Sequence, residues 1–208
     1  MKSGLLLVDV RVCCFAARLV LAAGAACALA SCATAPRMPT QYVLGGTTAP
    51  PAAGSLLGLP VVELLRVRVP DYLDTKDVVT TSGGRIVVHE KARWGERLSL
   101  GLTRALAASL GTRLPGIFVS TASPPERPTR QLSVDVATFE ITDHQLILTA
   151  TWTITDGSDS RTQTAERAAI VEALSSQDDN ALVAAMSRAV SDLAAKIAPT
   201  VDNSLRPR

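Results

Sequence analysis

The chain is predicted to fold as an α+β domain, a mostly antiparallel sheet with two amphipathic helices packed on one face. Three observations lead there. Apolar residues alternate at period two in several stretches between Leu59 and Ala173. Two other stretches, Trp94 to Leu114 and the one following Ser176, repeat instead at three and four residues. Read in order the elements run strands, helix, strands, helix, and a helix with one apolar stripe must bury it against a sheet or another helix.

Tyr42-Val43-Leu44 reads as a first short strand, and the Gly- and Pro-rich run from Gly45 to Gly58 as a loop. Leu59 to Val69 alternates, with Val61, Leu65, Val67 and Val69 on one face and Arg66 and Arg68 on the other, until Pro70 stops it. Val78 to Thr81 and Arg85 to His89 flank Ser82-Gly83-Gly84, a hairpin signal because glycine supplies the positive φ of a tight turn. In the first helix Leu98, Leu102, Ala105, Leu106, Ser109, Leu110 and Leu114 form the stripe, with Arg97, Arg104 and Arg113 largely off it. Ile117 to Val119 is a short strand and Ser123 to Arg130 a proline-rich connection. Leu132 to Ile141 and Leu146 to Thr155 form the clearest hairpin. Its second strand puts Leu146, Leu148, Ala150, Trp152 and Ile154 on one face and threonines on the other; in the first, the apolar phase slips between Val136 and Phe139, as a bulge would cause. Asp156 to Ser160 turns into a strand over Arg161 to Ala173. The second helix starts at Asp178-Asp179, placed to favour a helix N-terminus, carries Leu182, Met186, Ala189, Val190, Leu193 and Ile197, and is expected to end at Pro199.

All cysteines, Cys13, Cys14, Cys27 and Cys32, fall near the start. A disulfide framework or a zinc site needs them spread through, or paired within, the folded part. The segment instead has the parts of a secretory signal: Lys2, Arg11 and Arg18, then an apolar run from Leu19 to Ala30 too short for a comfortable membrane span. Leu29-Ala30-Ser31-Cys32 looks like a bacterial lipobox, in which cleavage precedes the cysteine and its thiol becomes a lipid thioether. The expected division is a signal peptide over 1–31, a lipidated tether over 32–40, one domain over 41–200 and a flexible tail over 201–208. Several acyl chains, at about 0.8 kcal/mol per buried methylene, make release from a bilayer negligible. Ala33 rather than Asp after the cysteine points, by resemblance to sorted lipoproteins, to the outer membrane.

Charge and motifs narrow the function. Lys and Arg total 21 against 19 Asp and Glu, but the signal holds three of the former and one of the latter, so a chain starting at Cys32 is neutral and a nucleic-acid partner loses its support. His89-Glu90-Lys91-Ala92-Arg93 begins like a zinc-protease helix but has Arg93 where the second histidine belongs, and His144 sits in an expected turn. Asp71 and Asp74 are too few oxygen ligands for calcium. No nucleophile elbow or phosphate loop occurs. The expectation is a protein without catalytic residues, metal or cofactor. Trp152 is expected in the core, and Trp94 either wedges the first helix against the sheet or lies at a binding surface.

The lipobox, the Tyr42-Val43-Leu44 strand, Pro70-Asp71-Tyr72-Leu73-Asp74, then Val78-Val79-Thr80, then Arg93-Trp94-Gly95-Glu96, and the later Val134 to Glu140 and Leu148 to Ile154 segments together resemble the PqiC (YmbA-like) family of auxiliary lipoproteins. The chain departs from that family's pattern at Thr75-Lys76 and at Arg97. The resemblance implies an outer-membrane, periplasm-facing scaffold of an intermembrane lipid-transport system, lipidated at Cys32, with a mammalian-cell-entry (MCE) protein, PqiB-like, as partner and a homo-oligomeric ring or collar in prospect. Partner-contact candidates are Tyr72, Leu73 and Trp94, apolar residues near strand ends, with Asp71 and Asp74 beside them. Two other readings stand alongside: an envelope-assembly lipoprotein that binds an outer-membrane protein, and a lipid carrier or lipid-handling enzyme. A carrier requires a deep apolar cavity, a scaffold a filled core and an exposed binding edge.

Overall fold

The structure is a computed structural model, and it describes residues 38–45, 56, 58–124 and 127–206. The fold is that of the unit 39–208. The expected signal peptide and Cys32 lie outside the described residues.

The strands are β1 (Thr40–Tyr42), β2 (Val61–Leu64), β3 (Asp77–Ser82), β4 (Arg85–Trp94), β5 (Phe118–Ser120), β6 (Arg130–Thr142), β7 (Gln145–Asp156) and β8 (Thr162–Ala173); the helices are α1 (Leu98–Arg113) and α2 (Asp179–Leu205). All strands join one sheet. Its long central ladders, β6–β7 and β7–β8, are antiparallel, as is the β3–β4 hairpin. The pairings β1–β4, β2–β5, β2–β6 and β3–β6 are parallel. The sheet is therefore mixed, where mostly antiparallel pairing was expected. Crossovers cause this: the chain from Val61 to Ser82 runs alongside β6 in its own direction, touching it at Val62, at Arg68 and again at Thr81.

β6 and β7 show why the core lies on one face. Leu132, Val134, Val136 and Phe139 on β6, and Leu146, Leu148, Ala150, Trp152 and Ile154 on β7, are each at most 3 % exposed. The phase slip on β6 is a register shift between Val136 and Thr138, which leaves Ala137 exposed and returns Phe139 to the core side. The threonines of β7 alternate onto the other face. Both helices bury their stripes in the same apolar cluster.

Several boundaries differ from the sequence expectation: β1 spans Thr40–Tyr42 rather than Tyr42–Leu44. β4 runs on to Trp94, so α1 starts only at Leu98. In β2 the buried apolar residues are Val62 and Leu64, with Glu63 buried between them, while Leu65 is 38 % exposed: the strand ends at Leu64 and the alternation restarts one residue out of phase at Val67. α2 continues through Pro199 to Leu205, so residues 201–205 are helix rather than tail. Proline removes one N–H and costs an interior helix about 3 kcal/mol. Here Val201 is fully buried just beyond it, and the Arg130 guanidinium donates to the Ser204 carbonyl at 2.6 and 3.1 Å. Tertiary contacts hold the turn that proline weakens.

Candidate functional site

The Pro70 to Asp74 segment is a loop that leaves the line of the sheet between Val69 and β3 and folds over the start of α1. Leu73 and Asp74 amides donate to the Pro70 carbonyl at 2.9 and 3.2 Å, closing a turn. From it Asp74 reaches the helix. Arg97, at the N-cap position of α1, offers no side-chain acceptor, and Asp74 Oδ1 instead accepts from the Ser99 amide at 3.1 Å. The cap thus comes from another part of the chain, filling the place of the usual Ser, Thr, Asn or Asp. The Arg66 and Arg97 guanidiniums stand 3.6 and 3.7 Å from Asp74 Oδ2. Desolvation acts to raise the Asp74 pKa, but hydrogen bonds from the Ser99 amide and side chain, with the two arginines, outweigh it and hold the carboxyl below its usual value.

This geometry corrects part of the contact assignment. Leu73 is 0 % and Trp94 3 % exposed, both within the core cluster, so neither side chain is available to a partner. Trp94 lies in the same core cluster as Leu98 and Leu102 of α1; its amide donates to the Lys76 carbonyl, and the Leu98 amide that opens the helix donates to the Thr75 carbonyl. Tyr72 is half-buried against the core and Asp71 exposed. Asp74 is committed to the helix. The motif is a structural knot joining β2, β4 and α1.

A second constellation lies at the end of the sheet where the β3–β4 turn, the β6–β7 turn and the approach to α2 converge around an open groove of about 800 Å³. Both histidines of the chain line it. His89 Nε2 lies 3.2 Å from Thr80 Oγ1, and its Nδ1 lies 3.1 Å from Asp179 Oδ1. The order Thr-His-Asp is that of a nucleophile relay, but Thr80 is 0 % exposed, and a hydroxyl that no substrate can touch performs no acyl transfer in this arrangement. The chain of contacts clasps β3 and β4 to the start of α2. Asp178 caps that helix through the Ala181 amide at 2.8 Å; this bond and one from Ser176 lower its pKa. His144, exposed in the two-residue turn with Asp143, has the positive φ of 61° that such hairpins require. Arg93, where a zinc motif would need histidine, pairs with Asp77 at 2.9 Å. Among the described residues no cluster of His, Cys, Asp and Glu fits a metal ion, and no helix is long and apolar enough to cross a membrane.

The third feature, which sequence reading did not single out, is a pair of open sheet edges. β8 pairs only with β7, so one side of its 12 residues is unpaired among the described residues. β1 covers β4 only at Ala92 to Trp94, leaving Arg85 to Lys91 open on the outer side among the described residues. On this stretch Ile86 is 57 %, Val87 39 % and Val88 52 % exposed, and on β8 Val171 is 54 % exposed. Exposed β-branched residues on an unpaired edge are unusual in a protein that acts alone.

Together these features describe an α+β domain with a filled core, an open groove and exposed stretches of sheet edge. It is shared by solved structures of low sequence identity: one of an uncharacterized protein, with TM-score 0.66 and 19 % identity over 79 % of this chain and 99 % of that one, and one of a Xanthomonas campestris protein of the DUF330 family, with TM-score 0.61 and 16 % identity over 80 % and 94 %. No curated protein matches the chain. The family model described as the ABC-type transport auxiliary lipoprotein component matches residues 42–198, and the chain belongs to that family. It is an accessory lipoprotein of a transport system.

Proposed function

We propose that this chain is an outer-membrane lipoprotein, anchored through Cys32, that serves as a non-catalytic docking subunit for an MCE-type protein in an intermembrane lipid-transport system. The observation that carries the reading is the auxiliary-lipoprotein family match over residues 42–198 joined to Leu29-Ala30-Ser31-Cys32 at the end of an apolar run. A filled core supports scaffolding over lipid carriage. The apolar cluster is continuous from α1 to β8, and the groove beside His89 is open and rimmed with carboxylates, unlike the enclosed apolar pocket that acyl chains need.

Crosslinking in membranes followed by detergent solubilisation and affinity purification tests the partner. Recovery of an MCE protein with the wild-type chain, and its loss from the Cys32→Ser variant together with release of that variant from the outer-membrane fraction, is the expected result. Recovery of an outer-membrane protein alone would replace this reading with envelope assembly. Unchanged membrane retention of the variant would remove Cys32 as the anchor.

A further inference from the structure

The two open edges complement each other. We propose that the β4 edge of one copy pairs, antiparallel, with the β8 edge of the next, so that the sheet continues from copy to copy and the chain assembles head to tail. This deepens the scaffold reading by naming a surface and a partner, a second copy of the chain.

The ladder phases limit which residues can meet. In β3–β4 the two-residue Gly83-Gly84 turn, with φ of 54° and 75°, makes Ser82 and Arg85 a hydrogen-bonded pair. The backbone groups of Ile86 and Val88 therefore point outward; beyond His89 the pairing with β3 skips to Arg93, so Glu90 follows only as the next residue along the edge. On the other edge the Leu174 amide donates to the His144 carbonyl, continuing the β7–β8 ladder, in which Gln145 pairs with Ala173. Alternation then aims the backbone groups of Val171, Ala169 and Arg167 outward. Registers that differ by two residues keep both phase and face, and among them one joins Ile86 with Val171 and Val88 with Ala169 and brings Glu90 beside Arg167. Between these fall Arg85 with Glu172, Val87 with Ile170 and His89 with Ala168, and the next step sets Lys91 against Glu166.

This register matches apolar to apolar and charge to opposite charge. It also keeps the faces consistent. Glu172 and Glu166 bond Arg188 and Thr200 of α2, so they lie on the helix side of the sheet, as does His89 through Asp179. Arg85, Glu90, Lys91 and Arg167 make no side-chain hydrogen bond or ion pair among the described residues. Edge charges ordinarily deter pairing because a neighbour buries them without a partner; here each meets its opposite. Self-pairing of β4 about Val87 sets Ile86 against Val88 and Arg85 against His89. Pairing β8 with itself about Ala169 sets Glu166 against Glu172, which is unfavourable.

Direction gives a second argument. β4 runs opposite to β6, and β8 runs with it, so β4 and β8 are antiparallel within one copy. A β4–β8 contact between copies therefore leaves every copy with the same end up, whereas a β8–β8 contact turns its partner over. Only the former presents every β1, and the anchor proposed at Cys32 a few residues before it, to a single membrane. Such an interface is heterologous and closes into a ring or extends as a filament.

The test uses the lipidated protein in detergent. Val88→Cys with Ala169→Cys places two thiols on a hydrogen-bonded pair, about 5.5 Å between Cα atoms, within disulfide reach. Mild oxidation should give a ladder of multimers on non-reducing gels, each single variant giving none beyond a dimer. Val88→Cys with Arg167→Cys, two residues off register, should give far less. Glu90→Arg and Arg167→Glu should each lower the assembled fraction at least fivefold by sedimentation, and the double exchange should restore it. A monomeric wild-type chain at micromolar concentration overturns the proposal, as does a β4–β4 dimer from Val88→Cys equal in yield to the ladder. Neither result bears on recovery of an MCE partner, so the two readings fail separately.

Discussion

Asp74 shows how much one side chain carries in this fold. It supplies the cap that α1 lacks and gathers Arg66 and Arg97, so Asp74→Ala should destabilise the domain by about 1–2 kcal/mol at neutral pH, measured by urea unfolding. The sign of its pH dependence follows from the depressed folded pKa. The charged form's contribution is fully present above the unfolded value of about 3.9 and disappears as pH falls through the lower folded value. The gap between wild type and Asp74→Ala should therefore narrow below about pH 4. A gap constant down to pH 2 would show that the carboxylate charge contributes nothing. At this scale the sequence marked the right positions for a different reason: Leu73, Asp74 and Trp94 are distinctive because they lock a helix to a sheet, and only the packing of distant segments decides that.

Among the elements, α2 departs most from expectation. A local rule ends it at Pro199, but Ile197, Val201 and Leu205 form a continuing stripe toward the core, and Arg130 and Tyr42 tie the helix to the sheet at opposite ends. Deleting residues 200–208 should lower stability by about 3 kcal/mol, from the loss of buried Val201 and of the acceptor for a half-buried arginine. An unchanged urea midpoint would return the segment to the status of a tail. The β6–β7 hairpin and its bulge were legible because strict alternation and a phase slip are local. The parallel β2–β6 and β3–β6 pairings were not, since they join segments far apart in sequence, and alternation does not say which strand lies alongside.

For the whole molecule, near balance of acidic and basic residues beyond the signal bears on membrane contact. A chain comprising residues 39–208 should not sediment with anionic phospholipid vesicles at physiological salt if attachment depends on the lipid proposed at Cys32; strong binding would place a membrane surface on the domain itself. The groove beside His89 collects Glu140, Asp143 and Asp178 with no lysine or arginine in its lining, which disfavours anionic headgroups there as well.

The sequence alone determined the α+β class, the order of the elements and the amphipathic stripes, because each is written in local periodicity. The tertiary structure decided the mixed strand order, the burial of Leu73 and Trp94, the cap that α1 receives from Asp74, and the two open edges. These depend on which distant segments meet and which backbone groups are left without a neighbour, and that is a property of the assembled sheet rather than of any stretch of residues.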